Sequence, residues 1–148
     1  MFCRHIPNRC EVALAIVRIT LGVVFIAHGA QKVLGLWGGP GLDGFAQFTA
    51  SLGAPEALGY IAAFIELIGG LLLLIGAASE VAALALVPVM LGAILLVHLK
   101  NGFFSQNGGY EYALVLLLLL VAIIVGGPGK WYTWCACKLS GCPCKHKK

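Results

Sequence analysis

The side chains able to do chemistry in this chain are few, and they sit in or beside long apolar runs. His98, Lys100 and Asn101 close one run, and Glu111 opens the next, across a connection carrying Gly102, Phe103, Phe104, Gly108, Gly109 and Tyr110. Arg18, His28 and Lys32 fall within an earlier run built mostly from Ala, Val, Ile, Leu and Phe, and Glu66 is the one formal charge at the middle of another. His and Glu can relay protons, and Lys or Arg can donate to a carbonyl oxygen, so these residue types together suit a quinone-type headgroup whose reduction takes up protons. Two histidines and a glutamate can also hold a metal, but no His-x-x-x-His or Glu-x-x-His pair lies on any run.

At about 100° per residue, His28 lies roughly 80° from Arg18 on a helix, and Lys32 roughly 40° from each, so the three share one face. Charges in mid-membrane almost always face a bundle interior or a cavity. An Arg18–Glu66 ion pair is the expected floor of such a cavity. His28, His98 and Glu111 are the candidate catalytic groups, and Lys32, Lys100 and Asn101 the candidate ligand-binding groups. Lys32 also stands close enough to a span end to snorkel instead.

The elements that must position these groups follow from composition. Of the 148 residues 60% are hydrophobic and 11% charged, too apolar for an ordinary soluble domain. A crossing needs about 20 apolar residues, and four runs qualify: roughly 12–37, 57–76, 81–99 and 110–127. The predicted fold is therefore all-α, an integral membrane four-helix bundle over residues 12–129 with tails at 1–11 and 130–148. Continuous rather than alternating runs argue against a β-barrel.

Seven of the ten Lys and Arg residues lie in the tails, which places both termini in the cytoplasm and the groups around His28 and His98 in the outer half. The net charge of +4 fits contact with anionic lipid, and nothing in it points to nucleic acid. Between the first two spans, Asp43 is placed to cap a short interfacial helix with Phe45, Phe48 and Leu52 on one side. Ser79 is the expected cap of the third span, and Pro88 should kink it. Leu21-Gly22-x5-His28 recurs as Leu91-Gly92-x5-His98, setting the two histidines at similar depth.

The pattern Arg18, Leu21-Gly22, Phe25, His28-Gly29, Lys32, then Glu66 with Gly69-Gly70, then His98, Asn101-Gly102-Phe103 and Gly109-Tyr110-Glu111-Tyr112 resembles the DoxX family of small four-span membrane proteins. The resemblance implies a prokaryotic cytoplasmic membrane and a link to redox chemistry, since relatives form a thiosulfate:quinone oxidoreductase and others are associated with thiol-handling partners. No Cys, haem motif or dinucleotide fingerprint lies in the spans, so electrons would have to come from a partner subunit or from the tail, and assembly into homo-oligomers is open.

All six cysteines are terminal, a departure from the family pattern. Cys135, Cys137, Cys142 and Cys144 beside Lys138 and Lys145 could enclose Zn²⁺ or Cu(I) in a reducing cytoplasm, or act as a thiol redox pair. Two further readings thus stand beside quinone binding: soft-metal binding or transport through this cluster, and a scaffold whose buried charges only fix helix register.

Overall fold

The computed structural model describes residues 7–131. The cysteines 135, 137, 142 and 144 and most of both tails lie outside the described residues, and Cys10 is disulfide-bonded. Five helices make up the described chain: α1 (Pro7–Leu34), α2 (Gly41–Ser51), α3 (Glu56–Ile75), α4 (Ser79–Gly92) and α5 (Glu111–Gly126). Helix α4 continues as a π-helical turn, Ala93–His98, and a 3-10 turn, Leu99–Asn101. Three helical stretches are long and apolar enough to cross a membrane, Arg9–Leu34, Glu56–Ile75 and Ser79–Asn101, and α5 is a shorter apolar helix. The protein is an all-helical membrane bundle.

The packing inverts that of a soluble protein. Arg18, Glu66 and Ser79 are buried among Leu21, Phe25, Leu73, Leu86, Leu120 and Ile123, while Ile16, Val23, Ile68, Leu84, Leu95, Leu118 and Val125 face outward. An exposed apolar surface of this extent is stable against lipid, not water.

Glycines set the helix register. A Cβ on Gly22 would lie 2.7 Å from the Leu74 backbone nitrogen, one on Gly70 2.6 Å from that of Ile26, and one on Gly29 2.5 Å from that of Leu67. The partners descend on α3 as they ascend on α1, so the two helices are antiparallel and in backbone contact, as small residues allow in a bilayer. Helix α5 is likewise antiparallel to α1, with Gly126 beside Leu14 at one end and Tyr112 near His28 at the other.

Local structure departs from the sequence expectations at three places. The first helix starts at Pro7 and stops at Leu34, because Gly35 and Trp37 adopt left-handed backbone (φ 67° and 51°). Asp43 lies inside the first turn of α2 instead of capping it, and its carboxylate accepts a 3.0 Å hydrogen bond from the Tyr60 hydroxyl. Ser79 does not cap α4; its Oγ is buried with no hydrogen-bond partner among the described residues. Pro88 lies inside α4, as expected, and the π turn begins five residues later.

Candidate functional site

The buried charges separate into two sites, and the expected Arg18–Glu66 pair does not form. Arg18 donates all five of its guanidinium N–H groups to backbone carbonyls. Nη1 reaches Leu73 (2.6 Å) and Leu74 (3.1 Å), Nε reaches Pro128 (2.8 Å), and Nη2 reaches Lys130 (3.3 Å) and Trp131 (3.0 Å). Leu73 and Leu74 belong to the last turn of α3, where the Leu73 carbonyl also accepts from the Gly76 N–H at 3.2 Å, and Pro128 to Trp131 is the return of the chain after α5. Arg18 therefore ties two chain ends to α1, and a guanidinium with its donors all matched has nothing left to offer a ligand.

Glu66 pairs with Lys32 instead, Nζ to Oε1 at 2.5 Å. The reason is register. Gly29 stands opposite Leu67 and Gly22 opposite Leu74, so Lys32, about one turn beyond Gly29, reaches Glu66, while Arg18 faces the far end of α3. The pair is asymmetric: Glu66 is 1% exposed and Lys32 21%. Lys32 Nζ also lies 4.5 Å from the centre of the Phe45 ring, a cation–π contact that α2 supplies. Glu66 Oε2 is buried with no hydrogen-bond partner among the described residues.

Both members of this pair line a cavity of about 580 Å³, within the range of small-molecule sites. Helix α1 contributes His28 and Lys32; α2 contributes Phe45, Phe48, Thr49 and, just beyond its end, Leu52; and α3 contributes Leu58, Ile61, Ala62, Ile65 and Glu66. The far wall comes from α4 and its π extension, Pro88, Val89, Gly92, Ala93, Leu96, Val97 and His98. A π turn holds an extra residue per hydrogen-bonded loop and shifts the residues after it out of α-helical register, a distortion often found at functional sites. His98, the last residue of that turn, is therefore not placed where an unbroken helix would put it.

His98 is oriented by the loop between α4 and α5. Its Nδ1 lies 2.7 Å from the Gly108 carbonyl oxygen, which also accepts from Asn101 Nδ2 at 3.1 Å. A carbonyl only accepts, so Nδ1 is the donor in this contact. His28 lies 6.3 Å from the Tyr112 ring, centre to centre.

Of the candidate catalytic, ligand-binding and ion-pair residues, His28, Lys32, Glu66 and His98 meet at one cavity, and Arg18, Lys100, Asn101 and Glu111 are not in its lining. Glu111 is turned to its own loop, where Oε2 accepts from the Ser105 backbone N–H (3.1 Å) and hydroxyl (3.3 Å). Asn101 is occupied with Gly108, and Lys100 is exposed outside the cavity lining. The described residues hold no group of three His, Cys, Asp or Glu able to bind a metal, so His28, His98 and Glu111 do not form one.

The sequence sets α2 over the outer end of the bundle without tying its apolar side to the site. Phe45, Phe48 and Leu52 do share a side, as their spacing indicated, but that side roofs the cavity. Helix α2 is seated by a glycine: a Cβ on Gly59 would come 2.7 Å from Ala46 Cα.

The DoxX family description matches residues 13–99, which include His28, Lys32, Glu66 and His98. Among curated proteins, the chain is 33% identical over 113 residues to "Putative oxidoreductase CatD" of Bacillus subtilis, covering 76% of this chain and 79% of that one. It is 32% identical over 127 residues to an uncharacterised membrane protein of Mycobacterium tuberculosis, covering 78% and 75%. No solved structure matches the chain. On the family match and these relatives, the chain belongs to the DoxX family.

Proposed function

We propose that this protein binds the ring of a quinone-type molecule in the cavity beneath α2 and serves a redox system of the cytoplasmic membrane. The observation that carries the proposal is the convergence of Lys32, Glu66, His28 and His98 on one otherwise apolar chamber. Such a chamber, with a few fixed polar groups, is what orients a small aromatic ligand. Lys32 would polarise a ring oxygen, and His28 and His98 would hold or relay its protons.

The rim supports a ligand that lives in the bilayer. Phe48, Leu58, Ile61 and Leu96 line the cavity and are also exposed, so it opens sideways between α2, α3 and the π turn through apolar side chains. A lipophilic molecule would enter from the hydrocarbon without crossing a polar barrier. The relative named as an oxidoreductase fits the same reading, in which a partner subunit supplies the electrons. The basic tails support cytoplasmic termini, and with them a cavity in the outer half of the membrane.

The test is equilibrium binding of a short-chain benzoquinone to the full chain in lipid nanodiscs. Saturable one-site binding is expected, weakened at least about tenfold by His98→Ala, the loss of one hydrogen bond to a polar ligand atom. Absence of saturable binding would overturn the proposal.

A further inference from the structure

The polar groups of the cavity are unequally committed, and the imbalance says which form of such a ligand fits. Lys32 directs one of its three donors to Glu66 Oε1 and lies against the Phe45 ring. The His98 Nδ1 proton is taken by the Gly108 carbonyl. The donors Lys32 keeps can serve a carbonyl or a hydroxyl oxygen alike, so the discriminating group is the acceptor without a donor: Glu66 Oε2, on a cavity-lining side chain only 1% exposed, has no partner among the described residues. A buried carboxylate oxygen without a donor carries its full desolvation cost until something supplies one.

A quinone ring has only acceptors, whereas its two-electron, two-proton reduced form carries two O–H donors. Placing a carbonyl oxygen against Glu66 sets two lone-pair-bearing oxygens face to face; placing a hydroxyl there makes a charge-assisted hydrogen bond in a low-dielectric site. Resting on the reading of the cavity given above, we infer that the site selects the reduced, hydroxyl-bearing form, with Glu66 Oε2 as the group that discriminates. Glu66 is then a specificity-determining residue, and the protein holds quinol in preference to quinone. Tighter binding of the reduced form also raises the midpoint of the bound couple, by about 30 mV for each tenfold of preference.

The experiment compares three ligands on the full-length protein in nanodiscs under anaerobic conditions: a short-chain benzoquinone, its hydroquinone, and the dimethyl ether of that hydroquinone. The hydroquinone should bind at least about tenfold more tightly than the quinone, the worth of one hydrogen bond to a charged acceptor. The dimethyl ether, which keeps the ring but not the donors, should lose that advantage without any change to the protein. In Glu66→Gln, whose amide can present a donor, the preference should fall to near unity or reverse.

Equal affinity for quinone and hydroquinone, or an ether that binds as well as the hydroquinone, would overturn the inference and leave the cavity reading standing. A preference unchanged in folded Glu66→Gln would remove Glu66 from the role. Failure of all three ligands to bind would overturn the cavity reading itself.

Discussion

The two ends of the glycine contact between α1 and α3, Gly22 to Gly29, are each flanked by a cation on α1, Arg18 buried and Lys32 partly buried, and they differ in how fully that cation is matched. At Arg18 five donors meet five backbone carbonyls, from the last turn of α3 and from the segment after α5, and Arg18 is not part of the cavity lining. At Lys32 one donor meets one carboxylate oxygen, the second oxygen has no protein donor among the described residues, and a cavity lies alongside. The first arrangement is complete without a ligand; the second is completed by one. Burial of charge in a membrane bundle is thus not in itself a sign of function: what distinguishes the two is whether the protein alone satisfies the group.

The comparison can be broken most forcefully at the saturated end. Arg18→Met should destabilise the bundle by roughly 3–5 kcal/mol, because five carbonyls of two chain segments lose a charged donor together. Reversible unfolding in micelles measures this. Quinone affinity of the fraction that stays folded should be unchanged, and a variant that folds normally but no longer binds would reverse the assignment of the two ends.

At the other end, Glu66→Leu alone should cost up to about 3 kcal/mol, since Lys32 is left without its counter-charge. Lys32→Met combined with Glu66→Leu should recover most of that loss and still abolish ligand binding. Recovery of stability together with retained binding would make the pair a register device only.

Smaller effects sharpen the outline of the site. Gly59→Ala should cost about 1–3 kcal/mol, because its Cβ pushes against Ala46, and should weaken ligand binding by displacing the roof formed by Phe45, Phe48 and Thr49. Glu111→Gln should change stability by less than about 1 kcal/mol, as its amide oxygen still accepts from Ser105, and should leave ligand affinity unaltered. A large loss of affinity in that variant would bring Glu111 back into the site.

The helices themselves were legible, because continuous apolar runs of membrane-crossing length have few other solutions. Their bounds were less so: α1 begins at Pro7, before the apolar run, since a helix does not stop where hydrocarbon does. Three of the four groups at the cavity followed from the rule that intramembrane charge turns inward. Their partners did not follow. Pairing Arg18 with Glu66 rested on depth alone, whereas the α1–α3 register, fixed by Gly22, Gly29 and Gly70, brings Lys32 to Glu66 and carries Arg18 past it. Backbone carbonyls leave no side-chain signal, so the five acceptors around Arg18 could not be read from residue types. The shift introduced by the π turn at Ala93–His98 is equally silent in composition.

The most direct measurement is where a bound ligand touches the protein. A photoreactive quinone analogue, irradiated with the full chain in nanodiscs and mapped by mass spectrometry, should label Phe45–Leu52 and Leu96–His98, with labelling suppressed by excess unlabelled hydroquinone. Labels confined to α5, or spread evenly over the lipid-facing surface and insensitive to competitor, would contradict the account.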